Sequence, residues 1–203
     1  MSQCVRDAKN AFYNGFQAFI FMAGSVMQPG CQSANPIDII EASEADGLRL
    51  AALIHILLEE PDLVERGIHF DPDSDSVSQA YYIIQRAQQS EGFVLLAMSE
   101  RRPAGMLLAA KKTLADPEHT LALTIVVEAR SRRQGIGEAL MRYAERIAPH
   151  YGVESLTLSV LLHNEPAIAL YRKLGFRDRA HIGDLDGEKD SDRYLYMSKN
   201  LEK

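Results

Sequence analysis

Leu123-Thr124-Ile125-Val126-Val127 leads, after a short polar stretch, into Arg132-Arg133-Gln134-Gly135-Ile136-Gly137. Beyond it, Ile136, Leu140, Met141, Ala144 and Ile147 recur on one helical stripe. The apolar, β-branched run predicts a buried strand and the stripe an amphipathic helix. A strand that passes into a helix through glycines leaves the first-turn amides bare, and that geometry receives anions. Gly135 and Gly137 keep side chains out of the way, and the helix dipole adds roughly half a positive charge. Arg132 and Arg133 add two full charges suited to phosphate oxygens. The spacing excludes two familiar phosphate loops. No Gly-Lys-Ser/Thr follows, and the third glycine of the dinucleotide fingerprint is missing.

The surrounding pattern supplies a sheet for this strand to join. Ile37, Ile39 and Ile40 form a short strand, and Ser43 precedes a helix with Leu48, Ala51, Ala52, Ile54, His55 and Leu58 at helical spacing, ended by Pro61. Asp71-Pro72-Asp73-Ser74-Asp75 begins like a calcium loop, but Ser76 stands where glycine is needed and Tyr82 where the closing glutamate is needed. Ser76 with Gln79 reads instead as a capping box opening a helix through about Gln88. Gly92 to Met98 and Met106 to Ala110 read as a hairpin turning through Glu100-Arg101-Arg102-Pro103, and a third strand runs from His119 to Glu128. Val153 to Leu162 is a further strand. Asn164-Glu165-Pro166 opens a helix that stops at Gly175. Two strands, Phe176 to Asp184 and Arg193 to Ser198, close the chain. Strand, two helices, three strands, helix, strand, helix and two strands make an α+β, or mixed α/β, fold.

Composition narrows the partners. The net charge of −6 argues against a nucleic-acid-binding body and weakly favours an amine-bearing partner. Cys4 and Cys31 belong to no zinc or disulfide pattern, and no metal site is expected. From Asn10 to Ile37 there is no charged residue, and Phe12, Phe16, Phe19, Ile20, Phe21, Met22, Val26 and Met27 fill the stretch. It reads as an extra helix, a start placed too early, or a weak signal-like segment, and it is too interrupted for a membrane span. The expected boundaries are therefore an extension over 1–36 and a domain over 37–203.

Downstream stands Asn164-Glu165-Pro166-Ala167-Ile168-Ala169-Leu170-Tyr171-Arg172-Lys173-Leu174-Gly175-Phe176. Paired with Arg132-x-x-Gly135-x-Gly137, it resembles the GNAT superfamily of acyl-CoA-dependent N-acetyltransferases, over Ile37 to Lys203. The resemblance implies a central mixed, mostly antiparallel, splayed sheet of about six or seven strands flanked by about four helices. It implies acetyl-CoA as acyl donor and transfer to a primary amine of a small molecule or a protein N-terminus, by direct attack on the thioester. The backbone of Ile125, Val126 and Val127 would pair with the pantetheine like an added strand. The amides of Arg132, Arg133, Gln134, Gly135, Ile136 and Gly137 would hold the diphosphate. Asn164 would bond the pantetheine arm, and Tyr171 would protonate the departing thiolate; the same residues also suit an N-cap and a packed aromatic.

The base is less well marked. Family members with a glutamate on the strand before the glycine loop carry it where Leu121 stands here. His119 shares that face by the strand's period of two, and Glu118 adjoins it. His69 and His163 are further candidates, and an amine can also lose its proton through water. The acceptor side would be built largely by the first two helices, their loop and the last two strands. That loop holds Glu59, Glu60, Asp62, Glu65, Asp71, Asp73 and Asp75, a charge set that would steer an ammonium group. Two alternatives stay open: a non-catalytic acyl-CoA-binding module, and transfer of a different acyl group. A cytoplasmic location is expected from where acyl-CoA is found. No nucleic-acid or membrane partner is expected, and a homodimer is left open.

Overall fold

The computed structural model describes residues 37–63, 68–111, 117–179 and 193–201, all within the compact unit Asn35–Lys203. The expectations for residues 1–36, for Glu65 and for the outer half of the strand to Asp184 lie outside the described residues. In chain order the elements are β1 (Asp38–Glu41), α1 (Gly47–Leu58), α2 (Ser76–Gln89), β2 (Phe93–Ser99), β3 (Arg102–Ala110) and β4 (Thr120–Val127). They continue with α3 (Ile136–Ile147), β5 (Ser155–Leu161), α4 (Glu165–Lys173), β6 (Arg177–Asp178) and β7 (Tyr194–Asn200). The seven strands form one mixed sheet in the order β1-β2-β3-β4-β5-β7-β6, antiparallel everywhere except between β4 and β5.

Helices cover both faces, which is why β2 and β3 read as continuous apolar runs rather than alternating ones. On one face Leu50, Leu53, Ile54 and Leu57 of α1 and Ile84 of α2 meet Leu96, Met106, Leu108 and Val126. On the other, Ile136, Leu140 and Met141 of α3 meet Leu95, Leu107, Leu121, Leu123 and Leu156. Each fully buried leucine contributes about 1.5–3 kcal/mol over its exposed state. The two cores hold β4 from both sides and fix the strand that leads to the glycine segment.

Several local expectations shift. In α1 the buried face is Leu50, Leu53, Ile54 and Leu57, while Leu48 is 70% exposed and His55 and Leu58 also face outward. The helix is apolar nearly all round, so its stripe alone did not choose a face. The residue capping α2 is Asp75, not Ser76. Its carboxylate accepts from the amides of Val77 and Ser78 at 2.9 and 3.0 Å. Gln79 does not reach back to the cap; its side chain braces the preceding loop through Asp71 and the Ser74 carbonyl. The hairpin turns on Glu100 and Arg101 alone, both with positive φ (50° and 64°), and Arg102 and Pro103 already belong to β3. Such paired left-handed residues are what a two-residue hairpin loop requires.

Candidate active site

β4 and β5 begin as parallel partners, pairing Thr120 with Ser155, Leu121 with Leu156 and Ala122 with Thr157. There the ladder stops, although both strands run on. The amide of Glu128 donates to Ala104 of β3 at 3.0 Å, so by alternation the backbone groups of Val126 and Thr124 also face β3. Those of Leu123, Ile125 and Val127 face the gap toward β5. Two side-chain bonds agree with this phase: Thr157 Oγ1 reaches the Leu121 carbonyl from β5, and Arg132 Nε donates to the Val127 carbonyl. Val126 is therefore not part of the exposed edge, contrary to expectation. Its side chain is buried in the core beneath α1 and α2.

The gap opens into a cleft of about 810 Å³, a size suited to a large organic ligand. Ile125 and Val127 line one wall, and Ser159, Val160 and Leu161 of β5 line the opposite wall. The glycine segment closes one end. Gly135 precedes the first helical residue of α3 with φ +83°, a left-handed conformation that glycine adopts without strain. Arg133 is also left-handed, at φ +64°. A Cβ on Gly137 would stand 3.4 Å from Leu170 of α4, so this glycine lets the two helices approach. Across the cleft, Lys173 Nζ donates to Glu138 at 2.7 Å and ties α4 to the first turn of α3.

From α4 come the second motif's residues. Asn164 is the N-cap, its Oδ1 accepting from the Ala167 amide at 3.4 Å, and it lines the cleft. Tyr171 also lines the cleft and packs its ring 6.1 Å from that of Phe176. Arg133, Gly135, Ile136, Gly137, Asn164 and Tyr171 are thus brought to one cavity, as is Arg132. Gln134 is exposed on the same turn, its amide donating to the Arg130 carbonyl at 3.0 Å.

Arg132 is differently employed from the expectation. Its guanidinium pairs with Glu60 and with Asp62 (2.8 Å to Oδ2), in the loop between α1 and α2. Arg133 is exposed on the cleft wall, with no ion-pair partner among the described residues. Four carboxylates of the acidic loop are likewise engaged in local structure. Glu60 and Asp62 hold Arg132, Asp71 accepts from the Asp73 amide, and Asp75 caps α2.

The base candidates do not assemble here. His119 has φ +63°, which breaks the strand before Thr120 and voids the alternation that placed its side chain beside Leu121. Its Nδ1 lies 2.8 Å from the Gly152 carbonyl. Together with Glu118 it lines a separate hollow beside Glu154 and Asn200, at the closed end of the β4–β5 pair. Leu121 is buried core, and neither His69 nor His163 lines the cleft. Sequence reasoning missed Thr124, Ser159 and Tyr194, whose residues line the cleft. Thr124 carried a readable signal, a polar residue in the middle of an otherwise apolar run.

Comparison with known proteins agrees with this geometry. The description of the acetyltransferase (GNAT) family matches residues 52–176. The chain is 33% identical over 73 residues to the putative phosphinothricin acetyltransferase YwnH of Bacillus subtilis (strain 168), covering 34% of this chain and 45% of that one. It is 27% identical over 135 residues to the ribosomal protein bS18-alanine N-acetyltransferase of Escherichia coli (strain K12), covering 59% and 89%. Among solved structures, yncA of Salmonella typhimurium, a putative acetyltransferase with its cofactor acetyl-CoA, superposes with a TM-score of 0.62. It is 18% identical over 82% of this chain and 95% of that one. The splayed strands, the glycine-led helix and the match over residues 52–176 lead to one statement: the chain belongs to the acetyltransferase (GNAT) family.

Proposed function

We propose that this protein transfers an acetyl group from acetyl-CoA to a primary amine. The observation that carries the reading is the interrupted β4–β5 ladder, with strand backbone turned into the gap, helix N-terminus and α4 side chains all on one cleft. Bound acetyl-CoA supplies a thioester, whose sulfur leaves as thiolate when an amine takes the acyl group. The chain's own residues meet the remaining needs. The Ile125 N–H, turned into the gap, offers a fixed donor for a carbonyl oxygen there. The amides at the start of α3, with Arg133, suit a diphosphate. Asn164 Nδ2 is available to an amide-bearing arm while its Oδ1 caps the helix. Tyr171, on the cleft wall, carries a phenolic hydroxyl that can donate a proton to a thiolate.

The named relatives support an amine acceptor without choosing its class, since one is called a phosphinothricin and the other a ribosomal-protein-alanine acetyltransferase. A small amine and a protein N-terminus both fit the reading. Its place is the cytoplasm, where acyl-CoA is found, and sequencing the native N-terminus tests that: a processed, exported start overturns it. The core experiment measures calorimetric binding of acetyl-CoA beside thiol release with a panel of amines. Amine-dependent release is the expected result, and failure to bind acetyl-CoA overturns the reading.

A second reading, a non-catalytic acyl-CoA-binding module, is favoured by one observation. Leucine stands at the strand position of a family base, and Glu118 and His119 lie away from the cleft. Binding of acetyl-CoA without release across small amines, amino acids and N-terminal peptides would select this module.

A further inference from the structure

Seventy residues separate Arg132 from Asp62, yet the two meet at the mouth of the cleft. Arg132 is placed by bonds in three directions. Its Nε donates to the Val127 carbonyl at 3.2 Å, at the end of the strand edge that faces the cleft. Its terminal nitrogens pair with Glu60 and Asp62. Glu60 has a second duty: its Oε1 accepts from the Ala129 amide at 2.6 Å, in the turn that follows β4. The Glu60 side chain is only 8% exposed. Leaving a carboxylate so placed without partners is costly. Between them the three side chains fasten the loop after α1 to both the end of β4 and the turn that delivers the glycine segment.

We infer that Glu60 is a positioning residue for the donor site, acting through Arg132 and Ala129 to hold the turn that presents the cradle amides. The inference rests on the donor site proposed above. A preorganised donor loses no binding energy to ordering, and the first half of the turn between Val127 and Ile136 is held separately by the Arg102–Glu128–Ser131 bonds, at 3.2 and 2.7 Å. Arg133 and Gly135 sit in left-handed conformations beyond that point. Arg132 lies between the two halves, so what grips Arg132 sets the second half. The loop that carries Glu60 and Asp62 also contributes Asp62 to the cleft wall. The donor cradle is thereby mechanically joined to the neighbouring wall.

The test uses the full chain and coenzyme A as the calorimetric probe. Glu60→Gln keeps the shape and an acceptor for Ala129 but removes the charge that grips Arg132. Its affinity for coenzyme A falls about tenfold, the scale of one charged hydrogen bond. The donor KM rises in step, while kcat at saturating donor stays near its original value. In an Arg132→Gln background the same Glu60→Gln change has no further effect, because the two act as one unit. A merely structural role would lower the unfolding midpoint without that non-additivity. Asp62→Asn, at a side chain 40% exposed, carries the same test should Glu60→Gln not fold, with a smaller loss of affinity. Unchanged affinity in the folded variants, or additive losses, overturns the inference while leaving the proposed function standing. No binding of coenzyme A by the unsubstituted chain overturns both.

Discussion

Gly135 holds φ at +83°, and nothing lies within 4 Å of where its Cβ would stand. Gly135→Ala therefore meets backbone strain but no clash. Chemical denaturation should show a loss of about 1 kcal/mol, and the added methyl at the cleft wall should weaken coenzyme A binding. Tyr171→Phe keeps the ring packing against Phe176 and removes only the hydroxyl. Its kcat should fall on the order of 10²–10⁴-fold with little change in donor affinity; equal turnover by the variant would remove Tyr171 from the proposed chemistry. At this scale the glycines, Asn164 and Tyr171 were legible, because their positions follow from local spacing along one helix or one turn. The employment of Arg132 was not. Its partners lie in a loop distant in sequence, and nothing around Glu60 marks it as more than a solvated acid. His119 misled for a different reason: a period-of-two argument holds only inside the strand, and its positive φ puts it outside.

Elements were legible in order and kind, and less so at their ends. Asp75 and Ser76 both satisfy the pattern for a helix start, and the structure selects Asp75 because its carboxylate takes two amides at once. Bonds from the Ser78 amide and hydroxyl, with one from Val77, hold the Asp75 carboxyl below its ordinary pKa of 3.8. A lowered carboxyl contributes stability above the unfolded pKa and loses it as acid protonates it in the folded state. Asp75→Ala should lower the thermal midpoint at neutral pH, and the difference from the original chain should shrink as the pH falls through and below 3.8. The Glu100–Arg101 turn offers the opposite kind of change. Both residues occupy a conformation that asparagine and glycine prefer, so E100N with R101G should raise stability by roughly 1 kcal/mol in denaturant titration. The buried side of α1 could not be read, since apolar residues surround that helix. Leu50, Leu53, Ile54 and Leu57 face inward only because the sheet lies there.

The whole molecule responds to pH through a contact between distant parts of the chain. Tyr151, just beyond α3, donates its hydroxyl to Glu41 of β1 and packs on Phe93. Burial pushes its phenol up and the Glu41 carboxylate adds to this, reaching about 12 against an ordinary 10.0. A raised pKa contributes stability that is whole below pH 10 and is lost as the pH climbs toward 12. Denaturant titrations across that window should show a steeper decline for the original chain than for Tyr151→Phe. No spacing rule joins residues 41 and 151, so this contact was invisible in the sequence. The interrupted ladder was foreseen only through the family resemblance. It has a consequence for how the protein survives at high concentration. Strand edges with free amides recruit other chains and seed aggregates, and proteins keep exposed ones short. Among the described residues the two outer strands are the shortest in the sheet, four residues in β1 and two in β6. Among the described residues, the unpaired run of β4 against β5 instead lies in the middle of the sheet, beside the cleft. That run of backbone is therefore placed at a cleft rather than at the sheet's outer rim, where another chain would meet it first.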